Sequence, residues 1–388
     1  MPLFTARSSS TRIGRAMLGF VAATLALAPT LGGCAASGAG ERKARGFDIL
    51  ARIDEAPGNI TVTPRGKIIV SLHQFYEPTW RVAEVDRESG VLRPFPNPEW
   101  AEELGADNIG LDSVLGIVTD DKGVVWMLDN GRRGGSTPRL VGWNTRKNEL
   151  EKSVSIFFPG VESSFLNDLV LDPNTQHVYI ANSGGPGEPS LVVLDLRTGL
   201  ARPVLAGDAV VSAERDAKLV FNGKTLTQDG PNGPEPREVG INPITIDADG
   251  RYVYFGAMTG KSIYRVRTSD LRNTDLSDNA LAARVEPYAG KPVSDGMTID
   301  SRGNLYIADL ENGGIGIVPA RGRTYEPIFS NPSLVEWPDG LSGGPDGLIY
   351  ATVNQLHHSP VLNDGRDASV PPYLIIRVNP KAKPMVGR

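Results

Sequence analysis

Carboxylate and carboxamide side chains recur at one position of a repeated sequence pattern. Asn167, Asn242, Asp295 and Asp339 each open a run of alternating apolar residues, and Asp168 directly follows Asn167. Oxygen atoms of these types bind hard cations such as calcium, which tolerates loose ligand geometry. Buried groups of this kind also need partners, so several together predict a ligand site. Taken singly, each is equally typical of a turn at the start of a strand.

The repeated pattern predicts the fold that would bring these residues together. Each copy has a polar or glycine step, alternating apolar residues, a glycine-containing turn and a second apolar run. The six copies open at Gly58, Leu115, Asn167, Asn242, Asp295 and Asp339. Alternation indicates strands, and the turn glycine accepts a positive φ. With further strand-like runs between copies, the period is about 55 residues, which predicts an all-β, six-bladed β-propeller over residues 47–381 with a C-terminal tail at 382–388. Two β-sandwich domains, the alternative, would not explain six equivalent hairpins.

A propeller places two sets of residues at one end of its central channel. The first strand of each blade lines the channel and the second runs antiparallel, so first-strand starts and second-strand ends share a face. The second-strand ends are predicted at His73 and Gln74, Asp129 and Asn130, Asn182, Thr259, Asp309 with Glu311, and Asn354. We therefore expect a polar channel mouth, with Asn167, Asp168, Asn242, Asp295 and Asp339 as ligand-binding residues.

The first residues have the features of a lipoprotein signal peptide over 1–33. Three arginines and no acidic residue precede or enter an apolar stretch, residues 16–31, that is too short to span a membrane. The Leu-Gly-Gly sequence before Cys34 resembles the bacterial lipobox, in which the cysteine is lipidated; a signal peptide that contains a cysteine by chance is the alternative. Residues 34–46 read as a flexible tether. We expect a protein exported to the cell envelope and lipid-anchored on its periplasmic or extracellular face.

The net charge and the cysteine count limit the classes of molecule that the protein can be expected to bind and the bonds it can form. The 388 residues carry a net charge of −5, and loss of a leader with three arginines would take this to −8. Nucleic-acid binding is not expected, because phosphate contacts need a basic face. The single cysteine excludes an internal disulfide. We expect a monomer that binds a small molecule and meets the membrane through its lipid anchor only.

Several segments resemble the major royal jelly protein/yellow family, in its bacterial branch. They are PGNITVTPRG (57–66), SLH (71–73), VLGI (114–117), WMLDNG (126–131), FLND (165–168), GAMTG (256–260) and SDGMTID (294–300). The resemblance implies a six-bladed propeller with a ligand channel. Insect members include amine-binding proteins and proteins linked to dopachrome conversion, which implies an amine or aromatic ligand and an isomerase of dopachrome type. Asp168 or Asp295 would then be the general base, although no sequence feature selects a reaction or decides whether there is one.

A more distant resemblance is to the SMP-30/gluconolactonase superfamily, in which a Glu, two Asn and an Asp hold a divalent metal. Asn167, Asn242 and Asp295 resemble three of these ligands, but Gly58 and Asn59 stand where the first-blade Glu would be. Calcium is thus the one cofactor considered, and we expect weak binding, because calcium affinity rises with the number of carboxylates. A calcium-dependent lactone hydrolase is the alternative function, and a non-catalytic interaction scaffold is a third.

For two further segments, an interpretation without a functional role is favoured. The long insertion at residues 207–238 is either a lid over the mouth or a plain inter-blade loop, and the loop is favoured. His357 and His358 are the only adjacent histidines. Neighbouring residues of a strand face opposite sides, so we expect this pair to lie in a surface loop and not to share a metal.

Overall fold

The structure is a computed structural model that describes residues 46–132, 135–231 and 233–388. Cys34, the signal peptide predicted at 1–33 and nearly all of the predicted tether lie outside these residues. Within the described ranges, no helix has the length and apolar character needed to cross a membrane.

The described chain forms six four-stranded antiparallel sheets. Blade 1 contains β2 (Pro57–Val62), β3 (Ile68–Leu72), β4 (Val82–Val85) and β5 (Leu92–Pro94); blade 2 contains β6 (Val114–Thr119), β7 (Val124–Asp129), β8 (Arg139–Asn144) and β9 (Glu149–Ser155). Blade 3 contains β10 (Leu166–Leu171), β11 (His177–Asn182), β12 (Ser190–Asp195) and β13 (Ala201–Val204); blade 4 contains β18 (Ile241–Ile246), β19 (Tyr252–Ala257), β20 (Ser262–Arg267) and β21 (Glu286–Gly290). Blade 5 contains β22 (Met297–Ile299), β23 (Leu305–Asp309), β24 (Gly314–Val318) and β25 (Glu326–Ser330); blade 6 contains β26 (Trp337–Gly343), β27 (Ile349–Asn354), β28 (Tyr373–Val378) and β1 (Asp48–Ile53). The predicted six-bladed propeller is confirmed.

The ring is closed by one blade that combines strands from both ends of the described chain. β1 pairs antiparallel with β28 and forms the outer strand of blade 6, whose three inner strands come from the C-terminal part. The apolar core lies between neighbouring blades. Tyr179 and Leu191 of blade 3, for example, pack in one cluster with Ile244 and Phe255 of blade 4. Inner strands are therefore buried on both faces, whereas the outer strand β9 is largely exposed and charged.

In the part of the chain that the structure describes, helices are few and short. They are α1 (Pro98–Ala101), α2 (Thr268–Arg272) and α3 (Asp278–Ala282), with single 3₁₀ turns at Gln74–Tyr76, Val161–Ser163 and Leu356–His358. The insertion at residues 207–238 carries two small hairpins, β14 (Val220–Phe221) with β15 (Lys224–Thr225) and β16 (Thr227–Gly230) with β17 (Gly233–Pro236). Its side chains form part of a cavity wall described below, so it is a lid and the favoured plain loop was wrong.

The C-terminal residues close the end of the channel opposite the mouth. The carbonyl of Gly387 accepts hydrogen bonds from Thr119 N (2.9 Å) and Thr61 Oγ1 (3.0 Å). The main-chain oxygen of Arg388 accepts from Gly343 N and Thr298 Oγ1, both at 2.8 Å. The four donors belong to the inner strands of blades 2, 1, 6 and 5. The tail therefore ties the inner strands together where they end.

Candidate functional site

The inner strands of all six blades contribute their first residues to one cavity of about 660 Å³. All five predicted ligand-binding residues line it. The contributions are Gly58 and Asn59 (blade 1), Leu115 (blade 2), Asn167 and Asp168 (blade 3), Asn242 (blade 4), Asp295 and Gly296 (blade 5), and Asp339 and Gly340 (blade 6). We call this end of the channel the mouth.

Backbone irregularities aim the polar residues into the mouth. The pairing of the first two strands shifts register close to the mouth in five blades, as between Leu166 and Asp168 in blade 3. Such a bulge redirects a side chain that regular alternation would bury. The inner strands also approach so closely that glycine is needed: a Cβ on Gly296 would lie 2.1 Å from the carbonyl oxygen of Asp339.

One hydrogen-bonded chain joins blades 3, 4, 5 and 6. Asn167 Nδ2 donates to Asn242 Oδ1 (2.7 Å), and Asn242 Nδ2 donates to Asp295 Oδ1. Trp337 Nε1 donates to the other oxygen of Asp295 at 2.6 Å. Both oxygens of this buried carboxylate are therefore engaged within the protein.

The other two carboxylates are less completely engaged. Asp168 Oδ1 accepts from Asn59 Nδ2 (2.9 Å) and from the backbone N–H of Leu169 (2.8 Å). Asp339 Oδ2 accepts from Asn354 Nδ2 at 2.9 Å. No described residue donates a hydrogen bond to the second oxygen of either Asp168 or Asp339, and both side chains line the cavity. These two oxygens are available to a ligand.

Burial and mutual repulsion make the mouth electrostatically unusual. Burial, together with the nearby charge of Asp295, raises the pKa of Asp168 to about 7. Burial also raises the pKa of Asp295, and that of Asp339 is raised well above its ordinary value by burial and by the charges of the other two. None of the ion pairs between described residues includes any of the three. The mouth thus gathers three carboxyl groups that have no ion pair with a described residue, and burial together with mutual repulsion disfavours their charged forms.

His73 is a neutral hydrogen-bond donor at the edge of this cavity. Its Nδ1 accepts from the backbone N–H of Phe75 (3.3 Å), which assigns the ring proton to Nε2. Burial lowers the pKa of His73 to about 3, so the ring stays uncharged at physiological pH. Sequence reasoning placed His73 at a second-strand end but did not select it as a site residue.

The upper part of the cavity has a wall of large apolar side chains, with polar side chains at Ser183, Ser212, Gln228, Arg237 and Glu238. Loops, the lid and the first residue of β26 supply this wall, whose large apolar members are Phe75, Phe165, Leu219, Met258, Trp337, Leu356 and Leu362. Arg237 of the lid also lines the cavity. Sequence analysis missed these residues, because they lie outside the repeated hairpins and only the loop paths bring them to the mouth.

Most of the polar residues at second-strand ends form hydrogen bonds within loops and blades and do not line the cavity. Asp129 accepts from the backbone of Asp112 and Ser113 and pairs with buried Arg139 at 3.2 Å. Asp309 accepts from the hydroxyl of Tyr325. Of the polar second-strand ends predicted above, His73 is the one that lines the cavity in the described structure. The expectation that the whole second set rings the mouth was wrong.

The histidine pair also departs from expectation. His357 and His358 lie in the 3₁₀ turn after β27, where the rule for alternating strand faces does not apply. Their ring centroids are 4.0 Å apart, His357 is buried, and the Nε2 atoms lie 3.3 and 3.5 Å from one oxygen of Glu336. The pair does lie outside the strands, between β27 and β28, but the expected divergence of the two side chains was wrong.

The residues that resemble the gluconolactonase metal ligands do not form a ready calcium site. The amide oxygen of Asn242 and both oxygens of Asp295 accept hydrogen bonds from within the protein. In blade 1, the amide oxygen of Asn59 accepts from the backbone N–H of Ile60 at 2.7 Å. Calcium takes six to eight oxygen ligands, so this set would have to exchange several internal hydrogen bonds for the ion.

Comparison with known proteins gives one family and one fold. A family profile described as Major royal jelly protein matches residues 112–359, which is more than half of the chain. No curated protein matches the sequence. Solved structures with the same fold include the calcium-binding protein regucalcin from Agrobacterium tumefaciens (TM-score 0.53, 14% identity, 87% of this chain and 96% of that one). A gluconolactonase from Xanthomonas campestris (0.52, 11%, 86% and 89%) and a luciferin-regenerating enzyme (0.52, 13%, 87% and 95%) are also similar. Identities this low establish the propeller architecture and not a shared activity.

Proposed function

Since the chain belongs to the major royal jelly protein family, we propose that its mouth binds a small molecule with an ammonium group and an apolar, aromatic body. The observation that carries this proposal is the convergence of Asp168, Asp295 and Asp339 from three blades in one cavity, without an ion pair to any described residue. A buried carboxyl group ionises at low cost only beside a partner of the opposite charge. A ligand cation supplies it.

The cavity suits such a molecule in both size and chemistry. Its volume of about 660 Å³ lies within the range typical of small-molecule sites. An ammonium group has three donors, and the second oxygens of Asp168 and Asp339 are acceptors without a partner in the described chain. The ring of the ligand would pack against Phe75, Phe165 and Trp337, whose π faces also attract cations. The negative charge of the chain favours approach of a cation.

Arg237 extends the proposal to the other end of the ligand. Its guanidinium comes from the lid, is half-buried, and forms no ion pair with a described residue. A guanidinium recognises carboxylates through paired hydrogen bonds. We therefore expect an amino-acid-like ligand, with ammonium at the carboxylates and carboxylate at Arg237, to bind more tightly than the corresponding simple amine.

Titration calorimetry with three probes that share one aromatic ring tests this proposal. The arylalanine should bind most tightly, the arylethylamine less tightly, and the arylethanol, which has no charge, least. Asp168→Asn and Asp339→Asn should weaken the first two by about tenfold or more, at 1.4 kcal/mol per decade. Arg237→Gln should weaken the arylalanine alone. Asp249→Asn, at an exposed site, is the matched control. Equal binding of the arylethanol would contradict the proposal.

The enzymatic version of the proposal is an isomerase of dopachrome type. Asp168 is better suited than Asp295 to be its base, because it keeps an oxygen facing the cavity and its pKa of about 7 favours proton transfer at neutral pH. The carboxylate would take a proton from a ring-system carbon and return it to another atom of the same molecule. Wild-type turnover of dopachrome that Asp168→Asn abolishes would support this step. Equal turnover by the two proteins would rule out Asp168.

We also propose that the propeller is exported and held by a lipid on Cys34, on the sequence evidence alone. Cys34→Ser should move the protein from the membrane fraction to the soluble fraction. Mass spectrometry of the wild-type N-terminus should find a diacylglyceryl-modified cysteine. A soluble wild-type protein that begins at another residue would refute the anchor and leave the ligand proposal untouched.

A further inference from the structure

Three side chains of the types that ligate transition metals lie together beside the mouth. Trp337, the first residue of β26, pairs with Asn354, the last residue of β27. Glu336, which precedes β26, and the turn Leu356–His358, which follows β27, therefore meet at the same edge of blade 6. Glu336, His357 and His358 each present one ligand atom, and these three atoms all lie within 4.8 Å of one another.

Two of the three distances between these atoms match the edge of a metal tetrahedron. Bonds of about 2.0–2.2 Å to nitrogen and oxygen at a tetrahedral angle place neighbouring ligand atoms about 3.4 Å apart. The Nε2 atoms of His357 and His358 lie 3.3 and 3.5 Å from the same oxygen of Glu336. An ion could therefore enter between the three side chains with small side-chain movements.

We propose that Glu336, His357 and His358 form a binding site for one divalent transition-metal ion. Two imidazoles and a carboxylate suit ions of the zinc, nickel, copper and cobalt class, whereas calcium and magnesium prefer oxygen ligands alone. Three protein ligands leave at least one coordination position for water or a solute. The side chains of His358 and Glu336 are 33% and 31% exposed, so the ion can enter from solvent.

The surrounding rings hold His357 in place and connect the site to the mouth. Phe221 of the lid stacks on His357 (centroids 4.4 Å apart, planes 11°) and on Trp337 (4.9 Å, 10°). Trp337 in turn donates to Asp295. Nδ1 of His357 is buried without a hydrogen-bond partner among the described residues. Since such outer partners strengthen metal sites, we expect an exchangeable ion and not a tightly held structural one.

Cobalt and zinc titrations of the full chain, prepared without a histidine tag, test the site. We expect one equivalent of Co²⁺ to give the visible absorption of a tetrahedral or five-coordinate ion, and Zn²⁺ to displace it. His358→Ala and Glu336→Gln should each lower Co²⁺ affinity by at least about tenfold, since even outer-shell changes at metal sites have effects of about 10–100-fold. Glu336→Gln keeps the side-chain shape, so it guards against misfolding of the alanine variant.

The chain offers a matched control. It has four histidines, and His177 lies at the start of β11, away from the mouth. His177→Ala should leave Co²⁺ affinity and stoichiometry unchanged. Wild-type protein that binds no Co²⁺ or Zn²⁺, or Glu336→Gln and His358→Ala variants that bind as tightly as wild type, would overturn the proposal. Neither result bears on amine binding, which uses the carboxylates of the mouth.

Discussion

The two ends of the central channel are built from the same inner strands but treat their polar groups in opposite ways. At the far end, strand donors of four blades pair with main-chain oxygens of Gly387 and Arg388. At the mouth, Asp168 and Asp339 each keep a carboxylate oxygen that no described residue satisfies, and the pKa values of all three carboxylates are raised. The far end is closed by the chain itself, whereas the carboxylate oxygens left without a partner at the mouth point to a ligand.

The mouth cavity and the closed far end of the channel are separated by only a few side chains. Asn59 and Asp168 line both the mouth cavity and a second cavity of about 20 Å³, roughly the space of one water molecule, which also contacts Arg388. The Asn59–Asp168 hydrogen bond therefore lies between a ligand-sized space and a nearly filled one. The far end is not perfectly satisfied either, because Nη1 of Arg388 is buried without a partner in the described chain.

The largest expected effect is that of Asp168 on how the stability of the protein depends on pH. The folded-state pKa of Asp168 is raised from 3.8 to about 7, so its contribution to stability falls as pH rises between these values. Asp168→Asn keeps an acceptor for Asn59 and removes this penalty. It should raise the free energy of unfolding at pH 8 by on the order of 2–4 kcal/mol, at about 1.4 kcal/mol per pKa unit, and change it little at pH 4. Urea unfolding at both pH values measures the difference, with Asp249→Asn as the control. A variant less stable than wild type at pH 8 would mean that the mouth carboxylate is structural.

The next effect concerns the closure of the far end. Gly387 has φ +81°, and a Cβ there would lie 2.3 Å from the carbonyl oxygen of Thr119. Gly387→Ala should displace the tail and lower the free energy of unfolding by about 2–3 kcal/mol, from lost buried hydrogen bonds and backbone strain. Gly347→Ala is the matched control, with φ +84° and nothing within 4 Å of the new Cβ. It should show the strain alone, about 1 kcal/mol. Equal losses in the two variants would show that the tail does not seal the channel.

A smaller effect on stability is expected from removal of the hydrogen bond that Trp337 donates to Asp295. Trp337→Phe removes the Nε1 donor to Asp295, which helps to keep that carboxylate ionised. We expect a loss of about 1–2 kcal/mol at pH 8 and a smaller one at pH 5, because the pKa of Asp295 should rise further. Chemical denaturation at the two pH values tests this. Trp126→Phe, which removes a donor to Asp120 away from the mouth, should lack the pH dependence.

Sequence patterns predicted the blades well, because strand alternation and turn glycines are local signals. Four of the predicted copies, those opening at Gly58, Leu115, Asn167 and Asn242, start one residue inside β2, β6, β10 and β18. The five mouth residues followed from strand order, since every inner strand starts at the same channel end.

Features that depend on loop paths could not be predicted in the same way. The partner of Asp295, Trp337, is itself the first residue of an inner strand, but its contact depends on side-chain packing across blades. The lid wall and Arg237 come from an insertion without a repeat. His357 and His358 converge on Glu336 because the chain turns immediately after β27, which sequence alternation does not encode.

The smallest expected effect is that of calcium on the unmodified protein. Asp295 and Asn242 already use their oxygens, and blade 1 supplies an amide at Asn59 in place of a carboxylate. With a dissociation constant of about 1 mM or weaker, 1 mM Ca²⁺ stabilises a protein by about 0.4 kcal/mol at most.

The Asn59→Asp variant should bind calcium more tightly and be stabilised by it. It places a second carboxylate where Asn59 now donates to Asp168 across 2.9 Å, and two adjacent carboxylates with Asp339 nearby should attract the ion. Thermal unfolding with Ca²⁺ or with a chelator should therefore differ clearly for the variant and hardly at all for wild type. A wild-type protein that loses several kcal/mol of stability on chelation would show that the mouth exchanges its internal hydrogen bonds for calcium, and the ligand cation would then be a metal and not an amine.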